Sequence, residues 1–144
     1  MNEILAIRVL LEVEAAMLAL PNIGRNEILE IKECAKAFER AISKGHVVDQ
    51  SRTNDAFHDA IYRHAPNRKL VNLLIDMRDQ AIPGPIMRWP SHESLIRSAA
   101  EHRVILTALE SHDCVALAEA VRGHITGSEP HLAAFSADGR STEA

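Results

Sequence analysis

Apolar positions along the chain recur at steps of three and four, and proline and glycine break them into helical lengths. The first run, from about Asn2 to Leu20, is apolar on nearly every side, with Ile4, Leu5, Ile7, Val9, Leu10, Leu11, Val13 and Leu18, and it stops at Pro21-Asn22. A helix with that pattern belongs in a core or an interface. The second run begins near Gly24 and carries a single stripe, Ile28, Ile31, Ala35, Phe38 and Ile42, before Lys44-Gly45 ends it. A third helix is expected after Gly45, running through Asn54, Phe57, His58 and Ile61 to about Ala65, where Pro66-Asn67 interrupts. A fourth holds Leu70, Leu73, Leu74 and Met77 and meets Pro83-Gly84-Pro85, which no helix can pass. Ser91 or Ser94 is positioned to cap a fifth helix with Leu95, Ile105, Leu106 and Leu109 inside, and Asp113 a sixth with Leu117, Ala120, Val121 and Ile125 inside. The stretch from Ile82 to Ser91 reads as the most irregular. No run alternates polar and apolar residues, so the pattern predicts an all-α antiparallel bundle of about six to seven helices.

Composition narrows the function more than the fold. The 144 residues make one domain, 47% hydrophobic and 25% charged, which excludes a disordered or fibrous chain. Net charge is -4 and aromatics are 3%, so the chain has neither the basic surface nor the stacking platform of a nucleic-acid binder. Cys34 and Cys114 stand in no metal or redox spacing and read as buried free thiols. The apolar stretch from Ile4 to Leu20 carries Arg8, Glu12 and Glu14 and has no basic leader. It therefore reads as a buried helix rather than a membrane span, and the expected location is the cytoplasm.

The chemistry lies in the histidines. His102 sits seven residues after Leu95 and seven before Leu109, so it points inward with them. His124 repeats this with Leu117 and Val121, and His58 lies beside Ile61 and Tyr62 with Asn54 one turn earlier. A single inward histidine is usually a core residue with a hydrogen-bond partner. Three on three helices of one small bundle are harder to satisfy separately, at about 1–3 kcal/mol for each unmet buried group. One divalent ion meets all three, because neutral imidazole is a good ligand for zinc, nickel, cobalt or iron. On spacing alone both readings stand. His46, His92, His112 and His131 fall in loops or helix ends and read as solvated, and His64 is ambiguous.

Four segments in order resemble a known family. They are Ile-Arg-Val-Leu-Leu-Glu-Val-Glu-Ala-Ala from Ile7 to Ala16, Asn-Asp-Ala-Phe-His-Asp-Ala-Ile from Asn54 to Ile61 with Ala65-Pro66-Asn67-Arg68-Lys69-Leu70 behind it, Glu-His-Arg-Val-Ile-Leu-Thr-Ala-Leu from Glu101 to Leu109, and Ala-Glu-Ala-Val-Arg-Gly-His-Ile from Ala118 to Ile125. Over roughly residues 3–130 the chain resembles the FCD-type effector-binding domain of GntR-family bacterial transcription regulators, the FadR-like branch. The resemblance implies a helical bundle that forms homodimers, holds a small carboxylate effector and binds a divalent metal ion, zinc or nickel first among the candidates. It implies Asn54, His58, His102 and His124 as metal ligands. The family often has aspartate where Asn54 stands; the neighbouring Asp55 lies about 100° round the helix. Four neutral ligands would leave the ion its full charge and favour an anionic partner.

Arg8, on a nearly all-apolar helix, needs an acceptor. Either it pairs internally with Glu12 or its guanidinium reaches the effector's carboxylate, and both readings remain open. Arg78 is a second effector-binding candidate whose plainer reading is a solvated arginine. The domain is expected over residues 1–135, with 136–144 as a flexible tail. The family's winged helix DNA-binding domain is expected to be absent, because the sequence opens almost at the first effector-domain helix, so no direct DNA contact is expected from this chain. No catalytic residues are assigned. The alternatives are a metal-dependent enzyme with a three-histidine site, which lacks an evident general base because Glu101 points elsewhere than His102, and a metal-free helical dimerisation module.

Overall fold

A computed structural model of the chain describes residues 3–81 and 89–127, with the backbone alone for 78–81. Six α-helices and one 3₁₀ turn make up the described fold: α1 (Glu3–Ala19), the turn Leu20–Asn22, α2 (Arg25–Lys44), α3 (Val47–Tyr62), α4 (Arg68–Ala81), α5 (His92–Glu110) and α6 (Cys114–Gly127). The all-α reading therefore holds. The histidine at 131 and the residues of the expected tail lie outside the described residues, as does most of the stretch from Ile82 to Ser91.

Local chemistry sets the helix ends. Pro21 falls in the 3₁₀ turn that closes α1. Glu27 Oε2 accepts from the Gly24 N–H at 3.0 Å and so caps α2. At its far end Gly45 adopts φ 70°, and His46 N–H reaches back to the Ala41 carbonyl at 3.3 Å, the left-handed cap that favours glycine. His112 holds the same place after α5 with φ 50°, while Asp113 N–H donates to the Ala108 carbonyl at 3.1 Å. Asn67 Oδ1 accepts from Leu70 N–H at 3.0 Å to start α4, and Asp113 Oδ1 from Ala116 N–H at 3.0 Å to start α6. Of the two serines considered for α5, Ser91 is the cap: its Oγ accepts from Ser94 N–H at 3.1 Å. α3 ends at Tyr62, short of Ala65, because the residue before Pro66 is biased away from helical backbone.

α2 and α3 form one helical hairpin and α5 and α6 another, each closed by a short loop. α1 packs on α6, α4 and α3, while α5 packs on α2 as well as α6. The larger apolar cluster takes Leu5, Val9, Ile31, Phe57, Ile61, Leu74, Ile105 and Leu109, drawn from α1 to α5, together with Leu117 and Val121 of α6. A smaller cluster joins Phe38, Ile42, Leu95 and Ala99, with Trp89 against it. Each of these large side chains, removed from water, contributes about 1.5–3 kcal/mol. Cys34 and Cys114 are free and half-buried. Among the described residues no helix is long and apolar enough to cross a membrane. α1 buries one side and leaves Ile7, Leu10 and Met17 exposed on the other, Leu10 at 69%.

Candidate metal centre

The hairpin closed at Gly45 carries His58 on α3, and the hairpin closed at His112 carries His102 on α5 and His124 on α6. Packing brings the three imidazoles together, with one nitrogen of each within 4.8 Å of the others. His58 Nε2 and His124 Nε2 are 3.2 Å apart, with their rings nearly parallel at 19°. His102 stands edge-on to both, at ring-centroid distances of 5.2 Å to His58 and 5.0 Å to His124.

His102 is the deepest of the three, 1% exposed, and both its ring nitrogens are buried without a hydrogen-bond partner. Burial, and then the neighbouring His124, hold its pKa well below the usual histidine value, so at neutral pH it is an uncharged imidazole with a lone pair to offer. Phe57 stacks on one side of it and Phe38 tilts against it, so its walls are apolar. On the outer side, Glu101 Oε1 lies 2.9 Å from His124 Nδ1. The carboxylate can only accept there, so Nδ1 carries the proton, which in the neutral ring leaves the lone pair on Nε2, facing His58.

These residues fit a divalent ion. Ligand nitrogens at bond lengths of about 2.0–2.1 Å stand about 2.8–3.4 Å apart around an ion, from octahedral to tetrahedral angles, and the His58–His124 separation of 3.2 Å lies in that interval. An orphaned, uncharged imidazole inside an apolar wall is costly alone and well used as a ligand.

Asn54 is buried one turn before His58, and Asp55 is only half-buried. Arg8 Nη2 lies 3.5 Å from Glu12 Oε1 on α1, the internal pair weighed against an effector contact. The pair is incomplete: Arg8 Nε and Glu12 Oε2 are buried with no hydrogen-bond partner, and Glu12 is 2% exposed. Arg78 falls on α4, and its side chain lies outside the described residues. His46, His92 and His112 are exposed and His64 is half-buried. Glu101 points away from His102, as its place on the helix predicts, and meets His124 instead. Its place one residue before an inward histidine, on the helix that packs against α6, is the signal that marks it.

Three imidazoles gathered between α3, α5 and α6 make a cluster that could hold a metal ion. The chain belongs to the FCD domain family, whose profile matches residues 3–127. The family match supports an effector-sensing regulatory role for the domain. The structure of McbR/YncC from E. coli shares the fold, with a TM-score of 0.80 at 19% sequence identity over 93% of this chain. This chain spans 64% of the length of that one. No curated protein matches the sequence significantly.

Proposed function

We propose that this chain is the sensing half of a bacterial GntR-type transcription regulator, working in the cytoplasm, which binds a divalent metal ion through His58, His102 and His124 with Asn54 as a fourth donor. Zinc and nickel are the ions that three imidazoles favour first. The observation that carries the reading is His102: two unpartnered ring nitrogens, almost wholly buried, within reach of two further imidazoles. When bound, the ion supplies a positive, oxygen-seeking position at the centre of the bundle. Asn54 and the three histidines bring no charge to offset it, which favours an anionic effector, and a small carboxylate is the simplest. Arg8, with one guanidinium nitrogen unmet, is the residue best equipped to share that anion; Arg78 is the second candidate.

The same proposal takes residues 1–135 as the sensing and dimerising unit and 136–144 as a tail. A homodimer is supported by α1, whose exposed Ile7, Leu10 and Met17 would be covered by a second copy. Contact with DNA would come through a winged helix domain rather than through this acidic surface, with effector binding biasing how a pair of such heads is held.

Elemental analysis of the purified protein, before and after chelation and reconstitution, tests the reading. About one ion per chain is expected, and its loss is expected in His102→Ala at unchanged helix content. A wild-type protein that takes up neither zinc nor nickel would instead support a metal-free dimerisation module.

A further inference from the structure

The carboxylate of Glu101 and the missing side chain of Gly127 form a device around His124. Glu101 and His102 are neighbours on α5 but point about 100° apart. One faces α6 and the other the core, so a single turn of α5 supplies both an inward imidazole and the acceptor for the imidazole of the next helix. The Glu101 Oε1–His124 Nδ1 contact, 2.9 Å, is part-buried, with His124 11% and Glu101 26% exposed. The other carboxylate oxygen, Oε2, lies against the end of α6. A Cβ on Gly127 would sit 2.8 Å from that oxygen and 3.7 Å from the carboxylate carbon. Gly127 lies three residues after His124, on the same side of the helix. Its backbone has no positive φ to demand glycine, and an added Cβ at this last residue of α6 would be accommodated by displacing the flexible end of the Glu101 side chain. With glycine at this position the carboxylate keeps its place beside His124.

We propose that Glu101 is a positioning residue for the metal centre. It holds His124 in the tautomer with the proton on Nδ1 and the Nε2 lone pair turned to His58, and Gly127 keeps open the space its carboxylate needs. An anionic acceptor on the outer nitrogen also makes the inner nitrogen a stronger donor to a cation. This rests on the metal reading above, and its test separates the two.

Zinc and nickel affinities of the full chain, measured by competition with a chromophoric chelator, should fall about 10–100-fold in Glu101→Ala. Glu101→Gln, which keeps an acceptor oxygen but no charge, should recover part of the loss. Gly127→Ala should weaken binding in the same direction from the opposite side of the carboxylate, while the thermal midpoint of the metal-free protein stays level or rises. That combination excludes a general loss of folding. Wild-type affinity in Glu101→Ala, with wild type itself loaded, overturns the proposal. In the metal-free protein, nitrogen NMR of the imidazoles should place the His124 proton on Nδ1 in wild type and shift it toward Nε2 in Glu101→Ala. If wild type binds no metal, the metal reading fails and this tautomer measurement alone decides the contact. The same tautomer in both proteins overturns the orienting role, and a shift upholds it.

Discussion

The imidazole of His102 lies on the ring of Phe57, with centroids 4.1 Å apart and planes 22° from parallel. Phe38 stands 4.9 Å away, tilted by 49°. Phe57 belongs to the larger apolar cluster and Phe38 to the smaller, so the histidine is the junction between them. Its depth and its orientation have the same cause: aromatic packing holds the ring where water cannot reach either nitrogen. Phe57→Ala is expected to cost about 3–5 kcal/mol, read by urea unfolding of the metal-free protein. Phe57→Leu should cost much less, and a loss of similar size in both would show that the stacked ring itself, rather than its apolar volume, provides the stability.

The depressed pKa of His102 makes the metal-free protein sensitive to acid. Above the ordinary histidine pKa of 6.5 the folded and unfolded states both hold this ring neutral, and stability does not depend on it. Below that value the unfolded chain takes up a proton that the buried ring refuses. Stability is therefore lost as pH falls from there toward the depressed folded value, by up to about 1.4 kcal/mol per pH unit. Urea titrations from pH 7.5 to 5 should show this slope in wild type and a shallower one in His102→Leu. Parallel curves would assign the acid sensitivity to other groups.

Two helix caps use the same left-handed position with different residues, Gly45 after α2 and His112 after α5. The space beside Gly45 is open, so a side chain there meets only the backbone penalty. His112→Gly should raise stability by about 0.5–1 kcal/mol, and Gly45→Ala should lower it by about 1 kcal/mol. Thermal midpoints moving a few degrees in opposite directions would bear this out. A fall in both would mean that the His112 side chain has a stabilising role the cap geometry does not require.

Arg8 and Glu12 share a charge pair inside an apolar helix face, at 3.5 Å and with one polar atom of each unmet. Removing one partner leaves the other charge buried alone. Arg8→Met should cost about 3–5 kcal/mol, and Arg8→Met with Glu12→Leu should regain most of it. In metal-loaded protein, citrate, malate and lactate-like acids should raise the thermal midpoint, and the double variant should lose that rise. An equal rise in the chelated protein would argue against coordination of the acid by the ion.

Much of this protein is written locally in its sequence. Proline, glycine and capping residues end the helices because backbone chemistry acts over a few residues: Pro21 closes α1, Gly45 closes α2, and Ser91 and Asp113 open α5 and α6. The heptad spacing of His102 with Leu95 and Leu109 likewise shows which way it faces, since a helix repeats its faces regardless of what packs against them. Three inward histidines could thus be singled out before any fold was known. Spacing within a helix carries no distance between helices, however. That His58 and His124 come within 3.2 Å, that His102 has no partner for either nitrogen, and that Glu101 meets His124 beside Gly127 all depend on how α3, α5 and α6 pack. Those contacts join residues far apart in the chain, and the complementarity of whole helix faces in three dimensions selects them.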